Sequence, residues 1–169
     1  MGLRPALVRA SQVRPHGRSA ARARYRRAFE PGCANGALTD RLAARCDHVI
    51  ASELLPDIAA RAAERTREHG RVDVVAAAFP GWWPDSSIDL LVLSEIAYYL
   101  TESGRDVAAR RLAEHLERGG DVVAVHYTGD TNYPMRGDEV ARWLDGLEEL
   151  ARVTALIDPS FELGVWTRA

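Results

Sequence analysis

The chain contains no lysine; all 22 of its basic residues are arginine. That bias reads as a GC-rich coding sequence rather than selection for phosphate binding. It also excludes a Walker loop, whose Gly-Lys-Ser/Thr core cannot be built. Cysteine is almost as scarce. Cys33 and Cys46 are the only two; they show no metal-ligand spacing and suggest no disulfide framework. No metal is therefore expected, and a reducing cytoplasm fits. No run of about 18 apolar residues occurs, which argues against a membrane span. A net charge of -2 argues against nucleic acid as a partner.

What remains is an ordinary soluble composition, 47% hydrophobic and 27% charged over 169 residues. That length suits one domain burying roughly two thirds of its unfolded surface. Residues 1–28 hold eight arginines and no acid, the composition of a transit peptide. Pro5, Pro15 and Gly17 interrupt any amphipathic stripe there. Residues 1–25 are read as a basic arm, its first 20 residues poorly structured, and 26–169 as the folded domain.

From residue 26 strands and helices alternate. Strands are expected at 28–31, 48–52, 72–76, 88–93 and 121–126, and a closing pair at 153–157 and 161–167. Helices are expected at 37–45, 56–69, 106–117 and 137–149. Pro56 suits a first helical turn, and Gly70 and Gly119-Gly120 read as helix stops. The run Ile88-Asp-Leu-Leu-Val-Leu93 is the most hydrophobic, as a central parallel strand buried on both faces requires. Residues 79–87 form a loop in place of a crossover helix. The short link Asp158-Pro159-Ser160 makes the last pair an antiparallel hairpin. The pattern predicts an α/β fold: a doubly wound, mostly parallel, seven-stranded sheet with an antiparallel last strand.

One stretch carries the functional signal. Glu30-Pro31-Gly32-Cys33-Ala34-Asn35-Gly36 reads as an acid at a strand end, a tight glycine turn and a helix start. Such a turn brings backbone N–H groups against a ligand, because glycine has no Cβ to hold it away. Seventeen residues after Gly36, Glu53 ends the next apolar run, where a carboxylate grips ribose hydroxyls in α/β nucleotide folds. A dinucleotide fingerprint needs G-x-G-x-x-G, and the third glycine is missing here. The stretch instead resembles motif I of class I S-adenosylmethionine-dependent methyltransferases, acidic-x-Gly-x-Gly-x-Gly, with Ala34 at the middle glycine.

Further along, E-P-G-C-A-N-G-A-L-T-D-R-L-A, S-E-L-L-P and D-L-L-V-L-S-E-I-A-Y-Y-L are similar to the nodulation protein S (NodS) family, over about residues 26–168. The resemblance implies a class I methyltransferase fold, and the family's namesake N-methylates the free amine of a deacetylated chitooligosaccharide. It implies S-adenosyl-L-methionine as cofactor, held by Glu30, Gly32, Cys33, Ala34 and Gly36 around its methionine portion and ribose. Glu53 would take the ribose hydroxyls, with Leu54, Phe79 and Ser94 alongside. The family's adenine-binding aspartate falls at Ala78, which lacks the carboxylate, so only backbone at Phe79 is left to contact the base.

Ligands of open α/β sheets lie at the carboxyl ends of the strands. There Glu95 could hold an amine and accept its proton, and Tyr98 and Tyr99 could wall the site, one of them facing it. His126, with Tyr127 beside it, is a candidate general base because an imidazole titrates near neutrality. Trp82, Trp83, Asp130, Tyr133 and Arg136 form a third group, with core covering the commoner role for the tryptophans. His16, His48, His69 and His115 read as bystanders on the arm, element edges or a polar helix face. Cys33 is not proposed as a nucleophile. The function expected is N-methylation of a small-molecule amine or amino sugar by a monomer or weak homodimer. O-methylation of a small metabolite and a non-catalytic cofactor-binding domain are the alternatives.

Overall fold

The structure, a computed structural model, describes residues 22–169. The expectations for the first 20 residues and for His16 lie outside that range. Seven strands form one sheet: β1 (Tyr25–Pro31), β2 (Cys46–Glu53), β3 (Val72–Ala76), β4 (Ile88–Ser94), β5 (Leu116–Tyr127), β6 (Leu150–Asp158) and β7 (Phe161–Arg168). Their order is β3-β2-β1-β4-β5-β7-β6. The first five run parallel, and β7 is antiparallel to both β5 and β6. The helices are α1 (Ala37–Ala43), α2 (Pro56–Thr66), α3 (Glu102–His115) and α4 (Gly137–Asp145). The expected doubly wound sheet with its closing hairpin is the observed one.

The β4 run is buried from Ile88 to Leu93, as its apolar composition demands of a strand covered on both faces. Asp89 is the polar exception, 2% exposed. Its carboxylate accepts the backbone N–H groups of Arg26 at 3.0 Å and Arg27 at 2.8 Å. It thereby satisfies the beginning of β1, whose ladder to β4 spans only Ala28–Leu90 and Phe29–Leu91. At the other end of the sheet Asp145 accepts from Arg152 and from the indole N–H of buried Trp166. The Arg152 guanidinium also lies 4.8 Å over the Trp166 ring.

Several boundaries depart from the sequence expectation: β1 and β6 start three residues earlier, at Tyr25 and Leu150, and α1, α2 and α4 end earlier, at Ala43, Thr66 and Asp145. Helix α3 starts at Glu102 rather than 106, because Thr101 caps it by accepting the Gly104 N–H at 3.2 Å. It also ends earlier, at His115. Gly119-Gly120 do not stop a helix; they lie inside β5, where the pairing register with β4 slips between Ile88–Leu116 and Leu90–Asp121. A residue expected on a polar helix face is affected as well. His115 stacks on Trp83, with ring centroids 5.7 Å apart. Residues 79–87 are a loop, as expected, and Trp83 is buried in the main core with Phe29 and Trp166.

Candidate functional site

The carboxyl ends of β1, β2, β4 and β5 meet on one rim of the sheet. The turn after β1 holds three consecutive alternate residues with positive φ: Gly32 at 68°, Ala34 at 47° and Gly36 at 75°. A Cβ at Gly32 would stand 2.8 Å from Ile96 Cδ1, and one at Gly36 3.0 Å from Ala62 Cα. The first glycine thus lets the β4 segment close over the turn, and the second lets α1 start against α2. Ala34 adopts the same left-handed conformation with a side chain present, at a cost of about 1–2 kcal/mol.

What holds Ala34 there is Glu53. Its Oε2 accepts the Ala34 N–H at 3.0 Å, and its Oε1 accepts the Leu55 N–H at 3.2 Å. An ionised carboxylate has about four acceptor positions, so two remain for hydroxyl donors. Leu54 and Leu55 beside it are 64% and 56% exposed. Cys33 is buried in the turn, and burial, then the charges of Glu30 and Glu53, push its thiol up to about 12. A thiol so raised is inert at neutral pH.

Glu30 takes a different position from the one expected around a methionine portion and ribose. Its carboxyl is 2% exposed and accepts the Thr39 O–H at 2.7 Å between β1 and α1. Strand alternation turns it into the protein, and burial pushes it up to about 8. Thr39, nine residues on, is its partner, a role with no signal in the local residue pattern.

Glu95 ends the β4 segment with a φ of 56°. Its Oε1 accepts the Tyr127 N–H at 2.9 Å and its Oε2 the Tyr98 O–H at 2.5 Å. Burial raises this carboxyl above the usual range, and the two hydrogen bonds oppose the rise. Ser94 precedes it, half-buried, paired with Val125 of β5.

His126 does not have the surroundings of a general base. It is 1% exposed, and its Nε2 accepts the Ala97 N–H at 3.0 Å. Burial depresses it to about 3, so the ring is neutral and its one free lone pair is committed. Its position pins the 3₁₀ turn Ala97–Tyr99 that carries the tyrosines.

Tyr98 is 5% exposed and Tyr99 48%. Tyr133, from the segment after β5, stacks on Tyr98 at 4.7 Å and leans on Tyr99 at 4.4 Å. Met135 secures this segment by donating its N–H to the Tyr98 carbonyl at 3.2 Å. The segment returns to the sheet where it left. A Cβ at Gly137 would stand 2.1 Å from the Tyr127 carbonyl oxygen, so α4 begins directly on the end of β5. Tyr127 itself is 43% exposed.

The remaining candidates fall elsewhere. Arg136 caps α4, its N–H bonded to Glu139 and its guanidinium to Asp138. Asp130 is exposed. Trp82 lies edge-on to Phe29 at 5.8 Å and Phe79 tilts against it at 6.5 Å, so both cover the core. His48 pairs with Asp73 and His69 with Asp40. Ala78 is exposed and its carbonyl accepts the Trp82 N–H at 2.9 Å. Among the described residues no three His, Cys, Asp or Glu side chains gather as a metal site, and no helix is long and apolar enough to cross a membrane.

Comparison with known proteins matches this arrangement to others. The family model described as nodulation protein S (NodS) matches residues 16–124. Nodulation protein S of Sinorhizobium fredii (strain NBRC 101917 / NGR234) is 35% identical over 88 residues, covering 52% of this chain and 39% of that protein. Nodulation protein S of Rhizobium tropici is 30% identical over 86 residues, covering 51% and 34%. The match thus spans less than half the length of these relatives. A Pseudomonas syringae protein assigned as a methyltransferase superposes with a TM-score of 0.77 at 31% identity, over 87% of this chain and 90% of that one. The N-methyltransferase NodS of Bradyrhizobium japonicum WM9, crystallised with S-adenosyl-L-homocysteine, gives 0.80 over 97% and 84%. At 23% identity that second likeness is one of fold.

Proposed function

The chain belongs to the nodulation protein S (NodS) family, and on that footing we propose that it is a cytoplasmic S-adenosyl-L-methionine-dependent methyltransferase. Its acceptor is the amine of a small molecule or amino sugar. The observation that carries the reading is the alignment of three groups on one rim: the Gly32–Gly36 turn, the Glu53 carboxylate and the Glu95 carboxylate. The rim suits this cofactor. Glu53 keeps two acceptor positions for ribose hydroxyls, and Leu54 offers an exposed apolar surface to a base.

When bound, the cofactor supplies an electrophilic methyl group on a cationic sulfonium. The chain's task is then to orient an unprotonated amine in line with that carbon and to take up its proton. Glu95 is the group suited to it. The bonds from Tyr98 and Tyr127 fix the carboxylate's direction, and burial brings its affinity for a proton closer to neutrality. Tyr99 and Tyr133 offer exposed aromatic faces to the acceptor's body. The O-methylation alternative relied on His126 to deprotonate a hydroxyl, and that imidazole is buried with its lone pair committed.

The test is a calorimetric titration with S-adenosyl-L-homocysteine beside labelled methyl transfer to amino sugars, simple amines and hydroxylated acceptors. Binding with transfer to amines is expected. Transfer to hydroxyl acceptors alone would overturn N-methylation, and binding without transfer to any acceptor would leave a cofactor-binding domain.

A further inference from the structure

Three consecutive residues of β5 grip the corner that follows β4. The Val125 carbonyl accepts the Glu95 N–H at 3.0 Å, the His126 Nε2 accepts the Ala97 N–H at 3.0 Å, and the Tyr127 N–H donates to Glu95 Oε1 at 2.9 Å. The corner is strained. Glu95 stands at φ 56°, a left-handed conformation that a residue with a Cβ keeps only where its surroundings enforce it.

Two of these contacts come from the β5 backbone and do not depend on which side chains stand there. The third comes from a side chain, His126. Its ring meets the 3₁₀ turn twice, through the Ala97 N–H and edge-on against Tyr98, with centroids 5.1 Å apart. Ala97 is 0% exposed, so its N–H needs a partner inside the protein. Tyr98 follows it in the turn and donates its O–H to Glu95 Oε2 at 2.5 Å. An observed contact therefore joins every step from the imidazole to the carboxylate. With Nε2 accepting, the neutral ring carries its proton on Nδ1. Sealed at 1% exposure, it reaches no ligand directly. The other titratable side chains around this corner are Tyr98 and Tyr99 of the turn, Tyr127 of β5, and Tyr133, which packs on both turn tyrosines.

We propose that His126 is a positioning residue: by accepting the Ala97 N–H it sets the Tyr98 hydroxyl against Glu95 and so aims the carboxylate at the acceptor amine. This role rests on the reading of Glu95 given above. In the transfer, the amine lone pair forms the new bond to the methyl carbon, and the electron pair of the broken carbon–sulfur bond stays on sulfur. The proton leaves nitrogen for Glu95. His126 takes up no proton at any point, which separates this role from that of a general base.

The experiment uses two amides of different reach. His126→Gln can place a carbonyl oxygen where Nε2 stands, and His126→Asn, one methylene shorter, cannot. Carbon-13 NMR of labelled glutamate carboxyls, with Glu95 assigned from Glu95→Gln, reads the titration midpoint without recourse to activity. In His126→Asn the midpoint should rise by about half a unit or more, because a hydrogen bond to the ionised form is loosened. His126→Gln should restore it. Adding Tyr98→Phe to His126→Asn should move it no further than Tyr98→Phe alone, since both act through one bond. For an amine acceptor, kcat should fall by about tenfold or more in His126→Asn, while affinity for S-adenosyl-L-homocysteine holds within about twofold.

An unmoved midpoint in His126→Asn, a failure of His126→Gln to restore it, or additive shifts in the double variant would each overturn the inference. Nitrogen-15 NMR of the unmodified protein tests it whether or not the variants fold. A scalar coupling from the Ala97 amide to His126 Nε2 is expected, and its absence would overturn the inference. Methyl transfer to no amine by the unmodified protein would instead overturn the proposed function, with the midpoints still deciding whether His126 orders Glu95.

Discussion

The Ala34 N–H donates to Oε2 of Glu53 at 3.0 Å, so the carboxylate proposed to hold a ribose also fastens the glycine turn. Glu53→Ala therefore removes a ligand contact and loosens the cradle together. Affinity for S-adenosyl-L-homocysteine should fall by about 100-fold or more, the loss of two hydrogen bonds to a charged group at about 1.5–3 kcal/mol each. Calorimetric titration measures it. Undiminished binding would refute the ribose assignment.

The left-handed conformation of Ala34 gives a test of the turn itself. Ala→Gly ordinarily costs roughly 0.5–1 kcal/mol within regular structure. At Ala34 the relief of about 1–2 kcal/mol of left-handed strain opposes that loss, so Ala34→Gly should be neutral or stabilising. Gly32→Ala should go the other way, because its Cβ would meet Ile96 at 2.8 Å with φ at 68°. Urea unfolding of the two variants should rank them on opposite sides of the unmodified protein.

The Tyr98 O–H donates to Glu95 and opposes the rise that burial gives its carboxyl. In Tyr98→Phe that bond is lost and the carboxyl takes up a proton more readily. The acid limb of the methyl-transfer pH profile should move upward by about half a unit to one unit, following a hydrogen bond of about 1 kcal/mol. A pH profile that stays in place would show that Glu95 does not govern the limb.

Two buried groups oppose each other in the pH dependence of stability. Glu30 is raised from 4.5 to about 8 in the fold, so its contribution is full below 4.5 and is lost as pH climbs through 8. His126 is lowered from 6.5 to about 3, so its contribution is full above 6.5 and is lost as pH falls toward 3. Each slope is at most about 1.4 kcal/mol per pH unit. Urea unfolding from pH 4 to 9 should find Glu30→Gln losing the alkaline decline and His126→Asn flattening the acid one. An alkaline decline that survives in Glu30→Gln would exclude Glu30 as its source.

The sequence carried the frame because its signals were local. The β3 bounds, the hairpin at Asp158-Pro159-Ser160 and the helix after Pro56 follow from periodicity and turn residues acting on their neighbours. The start of β5 did not, because the irregular register across from Ile88 and Leu90 places Gly119-Gly120 inside a strand. In the site, the Glu53 carboxylate was legible from its place after an apolar run. Its bond to Ala34 was not, since it depends on how two strand ends meet in space. His126 shows the limit most plainly. Its chemistry suggested a base, but its burial and its bond to Ala97 are set by residues 29 positions away.

The contact between Gly137 and the Tyr127 carbonyl separates what must stay from what is free to change. Residues 128–136 leave and rejoin the frame here; Met135 is buried in the core and Arg136 caps α4, so the side chains free to be exchanged without displacing β5 or α4 are the exposed Asp130, Asn132 and Pro134. Such closed excursions are where new binding properties arise on a fixed scaffold. Substitutions at those exposed positions would leave the turn, Glu53 and Glu95 where they stand.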